Sequence, residues 1–157
     1  RINQGLENCL YLGNLESKRD WGHAKDYVEM QWLMLQQTNP EDFVIATGRM
    51  EAVRRFIELT AEKIGWGKNN SKSIIWEGEG IEEVGRRADT QEIVIRIDSR
   101  YFRPTEVNQL LGDASKAYKK LGWQPKKKLE DLIEEMIVFD NEEATKELIL
   151  IKKGIKI

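Results

Sequence analysis

Residues 19–28 read Arg-Asp-Trp-Gly-His-Ala-Lys-Asp-Tyr-Val, and the rest of the chain is arranged around this stretch. Before it, Leu10 and Leu12 alternate with a tyrosine ahead of a Gly-Asn pair, which predicts a short strand. After it, apolar residues cover most of the circumference of the segment from 27 to about 37, which predicts a largely buried helix. We therefore expect Arg19 to lie in a turn that leads into this helix.

The start of this helix has the composition of an N-terminal cap. Asp26 is a favourable N-cap residue, and Glu29 three positions later completes a pair that resembles a capping box. The helix is expected to end before Pro40, because the residue preceding a proline disfavours the helical conformation. His23, the only histidine, is interpreted as structural, since a catalytic role requires an aligned partner that the sequence does not supply.

The composition limits the classes of function that the chain can serve. Its 157 residues suit one domain or a piece of a larger one, and a net charge of −2 with interspersed acids and bases argues against nucleic-acid binding. No apolar run is long enough to span a membrane, and no signal-peptide pattern is present. The single cysteine, Cys9, excludes a disulfide within the chain and is interpreted as a small buried hydrophobe. We predict a cytoplasmic setting.

The middle of the chain predicts a strand and a helix, followed by a small α+β region. Residues 42–48 form a continuous apolar run closed by Thr-Gly, which is typical of a strand buried on both faces of a parallel sheet. An amphipathic helix ending at Gly65 follows, with these residues at helical spacing: Val53, Phe56, Ile57, Thr60, Ala61 and Ile64. Two further strands are predicted at 73–77 and 92–98, with a charged loop at 78–90 between them.

Three helices are predicted in the C-terminal third. Pro104 suits the first position of a short helix with three apolar residues on one face: Val107, Leu110 and Leu111. Asp113 caps a second helix over 114–121, and Gly122 ends it. A third helix, continuing towards Leu148, carries five apolar residues on one face: Leu129, Leu132, Ile133, Met136 and Ile137.

Two arginines are candidate anion-binding residues. A guanidinium donates to two phosphate oxygens at once, so Arg19 in a turn suits a diphosphate, although position alone favours an ordinary surface pair with Asp20. Arg103 precedes Pro104, which restricts the backbone where the chain enters a predicted helix. Glu106, one helical turn on, can accept hydrogen bonds from ribose hydroxyls, or can be a first-turn glutamate favoured by the helix dipole.

The sequence supplies neither a catalytic group nor a metal site. One histidine and one cysteine are too few for a nitrogen- and sulfur-ligated metal. No Tyr-x-x-x-Lys pair is present, because the residues four positions after the tyrosines are Leu15, Gln31, Thr105 and Gly122. No glycine-rich dinucleotide fingerprint follows a strand: the spacing of the glycines at 78, 80 and 85 is not G-x-G-x-x-G, and acidic residues that would repel phosphate flank those at 78 and 80.

Several segments of the chain match one enzyme family. They are the stretch at 19–28, the stretch Tyr-Phe-Arg-Pro-Thr-Glu-Val at 101–107, and shorter segments at 12–15, 32–36, 40–48, 111–113, 116–117 and 120–125. Together they resemble the GDP-mannose 4,6-dehydratases, which are extended short-chain dehydrogenases. The resemblance covers most of the chain and implies the C-terminal part of an α/β enzyme, with the last Rossmann strand plus a small α+β substrate-binding domain. Residues from about 1 to 48 would include segments shared with the Rossmann domain, and about 49–157 would be mainly the substrate-binding domain.

The resemblance also implies an activity, and it implies which part of the enzyme carries the catalytic residues and which part binds the substrate. Such an enzyme converts GDP-mannose to GDP-4-keto-6-deoxy-mannose by an internal redox dehydration with bound NADP, and its product leads to GDP-fucose. The catalytic residues and most of the NADP site would lie upstream of Arg1, where the chain reads like the end of a helix already under way. Arg19 and Arg103 would hold the substrate diphosphate, and Glu106 would bind the ribose. The full-length enzyme is expected to be a homo-oligomer.

Two alternative functions remain open from the sequence. The first is another nucleotide-sugar epimerase or dehydratase of the same family, with a different base or sugar. The second, from a different class, is a non-catalytic nucleotide-binding or interaction module.

Overall fold

The structure is a computed structural model that describes residues 1–67, 72–103, 105 and 111–155. Helices and strands are mixed along the chain, as in an α/β protein. In chain order the described elements are β1 (Leu10–Leu12), β2 (Lys18–Arg19), α1 (Ala24–Leu35), β3 (Glu51–Ala52), α2 (Val53–Ile64), β4 (Ile74–Glu77), β5 (Val84–Arg87), β6 (Ile93–Ile97), α3 (Ser115–Leu121) and α4 (Leu129–Lys152). A single 3₁₀ turn, Gly80–Glu82, precedes β5 within these residues.

Four of the strands form a mixed sheet, in the order β1, β6, β5, β4. β1 runs parallel to β6, with Leu10 opposite Ile95, whereas β5 is antiparallel to both of its neighbours. The sheet packs on α2 through a buried cluster: Ala61, Trp66, Ile74, Val94 and Ile95. Because burying one large apolar side chain contributes roughly 1.5–3 kcal/mol, this cluster stabilises the packing of α2 on the sheet.

Two further apolar clusters attach the other helices. One buries residues of α1 and α3 with the indole that follows α3: Met30, Ala117 and Trp123. The other packs α4 against α2: Leu59, Leu129 and Ile133. The structure therefore has three neighbouring apolar cores, and α2 takes part in two of them.

The first helix begins three residues earlier than predicted, and its N-cap is a histidine. His23 is the N-cap of α1, and its Nδ1 accepts a hydrogen bond from the Lys25 amide at 3.0 Å. The prediction of Asp26 as the N-cap was therefore wrong. Asp26 is 4% exposed, and its Oδ2 accepts hydrogen bonds from the amides of Lys126 and Lys127 at 3.0 and 2.9 Å. An imidazole nitrogen with a free lone pair takes the place of a capping oxygen, and the carboxylate joins α1 to the start of α4.

The predicted capping box is also absent from α1. Glu29 forms an ion pair with the Lys126 ammonium, with 2.6 Å between Oε1 and Nζ. The helix ends at Leu35, about two residues before the predicted end and well before Pro40.

Residues 42–48, predicted as a buried strand, take part in neither of the described sheets. Val44 is 50% exposed and Ala46 is 4% exposed, so the run is not buried on both faces. A parallel strand forms only through hydrogen bonds to adjacent strands, and none of the described strands pairs with this run. Two of its amides, those of Thr47 and Gly48, donate instead to the carboxylate of Asp20.

β5 lies within residues 78–90, where the sequence predicted a loop. It is a central strand, with β4 on one side and β6 on the other. Its charged side chains have partners, because Arg86 is paired with Glu77 and Arg87 with Asp89. Neighbouring strands and these ion pairs stabilise a segment that lacks an apolar alternation, which is why periodicity did not reveal it.

Two short strands, β2 and β3, were not predicted, whereas the other described elements lie close to their predicted positions. β1, β4 and β6 lie within the predicted strands, and α2 ends at Gly65, whose φ of 90° is the left-handed conformation that glycine adopts without strain. The prediction of Asp113 as the N-cap of α3 was wrong by one residue, because α3 begins at Ser115 and its N-cap is Ala114; the Asp113 carboxylate still accepts a hydrogen bond from the Ser115 amide at 2.9 Å. α4 continues past Leu148 to Lys152. The short helix predicted from Pro104 falls on residues 104 and 106–110, which lie outside the described ranges.

Asp26→Ala should lower the free energy of unfolding by about 3 kcal/mol, because two amides lose a charged acceptor in a buried place. Urea denaturation of the wild type and the variant measures this change. Glu29→Ala is the matched control on the same helix, since its ion pair is largely exposed and is expected to contribute less than about 1 kcal/mol. Equal losses in both variants would show that the buried carboxylate is not what joins α1 to α4.

Candidate functional site

Arg19 lies at the end of a two-residue strand rather than in the predicted turn. β2 pairs antiparallel with β3, which places Arg19 opposite Glu51. The guanidinium Nη1 donates to the Lys18 carbonyl at 2.8 Å. Just upstream, the carbonyls of Leu15 and Ser17 accept hydrogen bonds from the first amides of α2, at 2.9 and 3.1 Å. The segment that carries Arg19 is thus attached along the start of α2.

The residues after Arg19 anchor this strand to the 42–48 run. The Asp20 carboxylate accepts hydrogen bonds from the Thr47 amide, at 3.0 and 2.9 Å to its two oxygens, and from the Gly48 amide at 3.1 Å. The Trp21 indole donates to the Glu51 carbonyl at 3.3 Å. Asp20 was predicted as a partner for the Arg19 guanidinium, and the structure shows that it binds these backbone amides.

Arg103 lies at the end of a turn that follows β6. Its amide donates to Asn14 Oδ1 at 2.8 Å, and its carbonyl accepts from Asn14 Nδ2 at 2.8 Å. The amides of Tyr101 and Phe102 both donate to the Asp98 carbonyl, at 2.9 and 3.0 Å, which closes the turn. The Arg103 side chain projects from this turn as an exposed residue.

The two arginine-bearing segments meet at one edge of the sheet. Gly13 and Asn14 follow β1, the Asp98 to Arg103 turn follows β6, and these two strands are parallel neighbours. The carboxyl ends of parallel strands are where α/β proteins bind their ligands. Arg19 lies five residues after Asn14, so its Cα is within about 18 Å of the Asn14 Cα. The structure thus connects the Arg19 and Arg103 segments through Asn14, while Glu106 lies outside the described residues.

A cluster of charged side chains surrounds the start of α1, and sequence reasoning missed its centre, Glu135. Glu135 Oε1 accepts from Lys127 Nζ at 2.8 Å, and Oε2 accepts from Lys25 Nζ at 2.8 Å and from His23 Nε2 at 3.2 Å. Because His23 Nδ1 accepts from the Lys25 amide, the ring hydrogen lies on Nε2. Hydrogen bonds from Lys127, Lys25 and His23, in that order of effect, lower the pKa of Glu135 to about 2.

Two concave surfaces of the described residues have neither Arg19 nor Arg103 in their lining. A groove of about 1060 Å³ is lined by α2, by α4 and by residues near the start of the chain. A smaller pocket of about 190 Å³ lies between Trp21, the segment at 47–51 and the segment at 125–129. Three of the four cationic side chains that line the smaller pocket form ion pairs: Lys126 with Glu29, Lys127 with Glu135, and Arg49 with Glu51.

Metal-ligating residues are not grouped in the part of the chain that the structure describes. None of the described His, Cys, Asp and Glu residues form a group of three or more with the geometry to hold an ion. Among the same residues, no helix combines the length and the apolar character needed to cross a membrane.

Comparison with known proteins identifies the family. Residues 1–136 match the family model described as GDP-mannose 4,6 dehydratase. The chain belongs to the GDP-mannose 4,6-dehydratase family. It is 47% identical over 163 residues to the GDP-mannose 4,6-dehydratase of Yersinia enterocolitica, an alignment that covers 98% of this chain and 42% of that protein. It is 51% identical over 142 residues to the enzyme of Cricetulus griseus, covering 90% and 37%, and the human enzyme is 49% identical over the same length.

Solved structures confirm the predicted fold class of this dehydratase-family chain. A UDP-glucose 4-epimerase from Thermotoga maritima with UDP-glucose has a TM-score of 0.62 at 25% identity, covering 91% of this chain and 37% of that one. RMD from Pseudomonas aeruginosa complexed with NADPH has a TM-score of 0.61 at 19% identity, covering 85% and 36%. These are extended short-chain dehydrogenases, so the chain has the fold of the C-terminal part of such an enzyme. It spans about two fifths of the length of the curated relatives it matches.

Glu135 should make the stability of the protein depend on pH between about 4.5 and about 2. Its pKa is lower in the folded protein than the ordinary value of 4.5, so its stabilising effect is present above about 4.5 and is lost as the pH falls towards 2. Glu135→Gln should show a shallower fall of the unfolding free energy in this range, measured by urea denaturation at a series of pH values.

Lys127→Met tests the cause of this dependence. It removes the cation with the largest effect on the Glu135 pKa, so the unfolding free energy should depend on pH less steeply than in the wild type, though more steeply than in Glu135→Gln. A Glu135→Gln variant with the slope of the wild type would contradict the assignment.

Proposed function

We propose that this chain is the substrate-binding part of a GDP-mannose 4,6-dehydratase, an enzyme that converts GDP-mannose to GDP-4-keto-6-deoxy-mannose with loss of water. The observation that carries the proposal is the family match over residues 1–136, together with 47–51% identity to curated GDP-mannose 4,6-dehydratases. The reaction makes the full-length enzyme a lyase whose product leads to GDP-fucose. Residues of about 1–48 contribute segments shared with the Rossmann domain, and about 49–157 form mainly the substrate-binding domain.

Arg19 and Arg103 hold the diphosphate of the substrate in this proposal. The turns after β1 and β6 lie side by side, so the Arg103 backbone is attached to the segment that continues to Arg19. A guanidinium pairs with two phosphate oxygens in parallel, and two guanidinium groups from different segments can hold both phosphates of one diphosphate. The exposure of Arg103 supports a role towards a ligand. Glu106 is proposed to accept hydrogen bonds from the ribose hydroxyls.

The glycine-containing turn at Gly78 and Gly80 does not fit the NADP that such an enzyme uses as its hydride carrier. The turn at Gly78 and Gly80 leads into a 3₁₀ turn and a strand rather than a helix, so it offers no helix N-terminus to a pyrophosphate. Glu79, Glu82 and Glu83 lie beside these glycines and would repel phosphate. We therefore propose that NADP is held mainly by a part of the enzyme outside this chain, as are the catalytic residues.

We also propose that the full-length enzyme is cytoplasmic and forms a homo-oligomer. The lone cysteine is consistent with a reducing compartment. Exposed large apolar side chains occur on two helices and are typical of surfaces that contact other protein: Val28, Trp32 and Leu35 on α1, and Val138, Phe139, Ile149 and Ile151 on α4.

The full-length enzyme should convert GDP-mannose to GDP-4-keto-6-deoxy-mannose when NADP is supplied, and it should leave UDP-glucose unchanged. Product analysis by mass spectrometry, which follows the loss of water, measures both reactions. Turnover of UDP-glucose instead of GDP-mannose would assign the chain to another nucleotide-sugar enzyme of the same fold. Binding without turnover of either would favour a non-catalytic nucleotide-binding module.

Arg19→Ala or Arg103→Ala in the full-length enzyme should raise the Kd for GDP-mannose by about 10- to 150-fold, because a charge-assisted hydrogen bond contributes roughly 1.5–3 kcal/mol. Isothermal titration calorimetry measures this affinity. Arg100→Ala is the matched control, since it removes a nearby exposed guanidinium that is already paired with Asp98. Unchanged affinity in either test variant would exclude that arginine from the diphosphate site.

A further inference from the structure

The side chain of Asn14 bonds both polar groups of the Arg103 backbone. Asn14 Nδ2 donates to the Arg103 carbonyl, and Asn14 Oδ1 accepts from the Arg103 amide, each at 2.8 Å. The two residues are 89 positions apart in the chain. A carboxamide offers a donor and an acceptor side by side, so it reproduces the pairing that a neighbouring strand would provide. An aspartate side chain keeps only the acceptor, and an alanine side chain keeps neither.

The two turns that Asn14 joins also contact each other through the residues just before Asn14 and just before Arg103. The Leu12 carbonyl accepts from the Asp98 amide at 2.8 Å, which continues the pairing of β1 with β6. A Cβ atom on Gly13 would lie 2.3 Å from the Tyr101 carbonyl oxygen, so only glycine permits this approach of the two backbones. Asn14 makes the next contact between the two turns, and its partner is Arg103 itself.

Beyond Asn14, the chain is attached to α2 and reaches Arg19 after five residues. The carbonyls of Leu15 and Ser17 accept from the amides of Arg54 and Val53, and Arg19 then pairs with β3. The same short segment therefore determines where Arg19 lies and, through the Asn14 side chain, where the Arg103 backbone lies.

We propose that Asn14 is a positioning residue that sets the spacing of the two arginines of the diphosphate site. Asn14 acts through Arg103: its carboxamide holds the Arg103 backbone beside the segment that carries Arg19, and it does not itself contact the substrate. This inference rests on the proposed function, and it adds to it a residue that the family resemblance did not assign a role. A guanidinium pair matched to one diphosphate requires a fixed separation, and a side chain that bonds both backbone groups of Arg103 provides it.

A double-mutant cycle in the full-length enzyme tests the inference, with GDP as the ligand and its Kd measured by isothermal titration calorimetry. The variants are Asn14→Ala, Arg103→Ala and the combination of both. Asn14→Ala should raise the Kd by about 5- to 30-fold, and by less than Arg103→Ala does, because it releases the backbone but leaves the guanidinium in place. The double variant should bind GDP as weakly as Arg103→Ala alone.

The control is Asn141→Ala, which removes another asparagine side chain that bonds a distant residue, in this case Gln4 at 2.8 Å. It should leave the Kd for GDP unchanged. Hydrogen exchange measured by mass spectrometry gives an independent readout, because the Arg103 amide should exchange faster in Asn14→Ala and not in Asn141→Ala.

Each other outcome overturns a defined part of the inference. Additive effects of Asn14→Ala and Arg103→Ala would show that Asn14 acts independently of Arg103. An unchanged Kd in Asn14→Ala, with a raised Kd in Arg103→Ala, would remove the positioning role and leave the proposed function intact. An unchanged Kd in Arg103→Ala would remove Arg103 from the diphosphate site and the role of Asn14 with it.

A second variant keeps the test available if Asn14→Ala does not fold. Asn14→Asp retains the acceptor for the Arg103 amide and removes only the donor to its carbonyl. If the new carboxylate repels GDP, Asn14→Asp should raise the Kd even when Arg103 is also alanine. If Asn14→Asp only releases Arg103, it should not raise the Kd further in the Arg103→Ala background. The cycle with Asn14→Asp therefore separates a positioning role from an independent effect in the same way.

Discussion

The hydrogen bonds made by residues 12–20 hold the sheet, α2 and the candidate site together. Backbone donors and acceptors that leave water require partners, and this segment finds them in three different places. It bonds the turn after β6 through Leu12 and Asn14, the start of α2 through Leu15 and Ser17, and the 42–48 run through Asp20. The positions of the Arg103 turn, the start of α2 and the 42–48 run are therefore linked through this one segment.

A second, polar joint fixes α1 against α4. The apolar cluster around Met30 and Trp123 brings the helices together, but apolar contact is not directional and leaves their relative position undetermined. Asp26 supplies the direction, because its carboxylate binds two adjacent amides just before α4 and its carbonyl accepts from the Trp123 indole at 3.0 Å. Glu135 then binds three cationic or polar partners at the same joint.

Binding and chemistry are divided in the proposed enzyme. The described chain carries two arginines on segments joined at the carboxyl ends of β1 and β6, where a nucleotide diphosphate is expected to lie. It has no Tyr-x-x-x-Lys pair and no glycine-rich fingerprint, and we therefore propose that the hydride chemistry belongs to another part of the enzyme. If Arg19 and Arg103 bind the diphosphate as proposed, the stability of segment 12–20 affects substrate affinity more than the chemical step.

Periodic apolar patterns in the sequence were sufficient to predict most of the elements. The amphipathic spacing of α2 and its glycine end, the strands β1, β4 and β6, and the start of α4 were all predicted, because a helix or a half-buried strand has its own period. The motifs at 19–28 and 101–107 were also sufficient to predict the family, which the comparisons confirmed. These features depend on residues close together in the chain.

Only the tertiary structure decided the features that depend on distant partners. The polar strand β5 forms because it has a neighbour on each side, whereas the apolar run at 42–48 does not form a strand because the described chain supplies it with none. The same rule applies to three side chains: His23 as a partner of Glu135, Asp26 as acceptor for amides about 100 residues away, and Asn14 as the partner of the Arg103 backbone. A hydrogen bond between residues so far apart leaves no periodic trace in the sequence, so its partners are known only once the chain has folded.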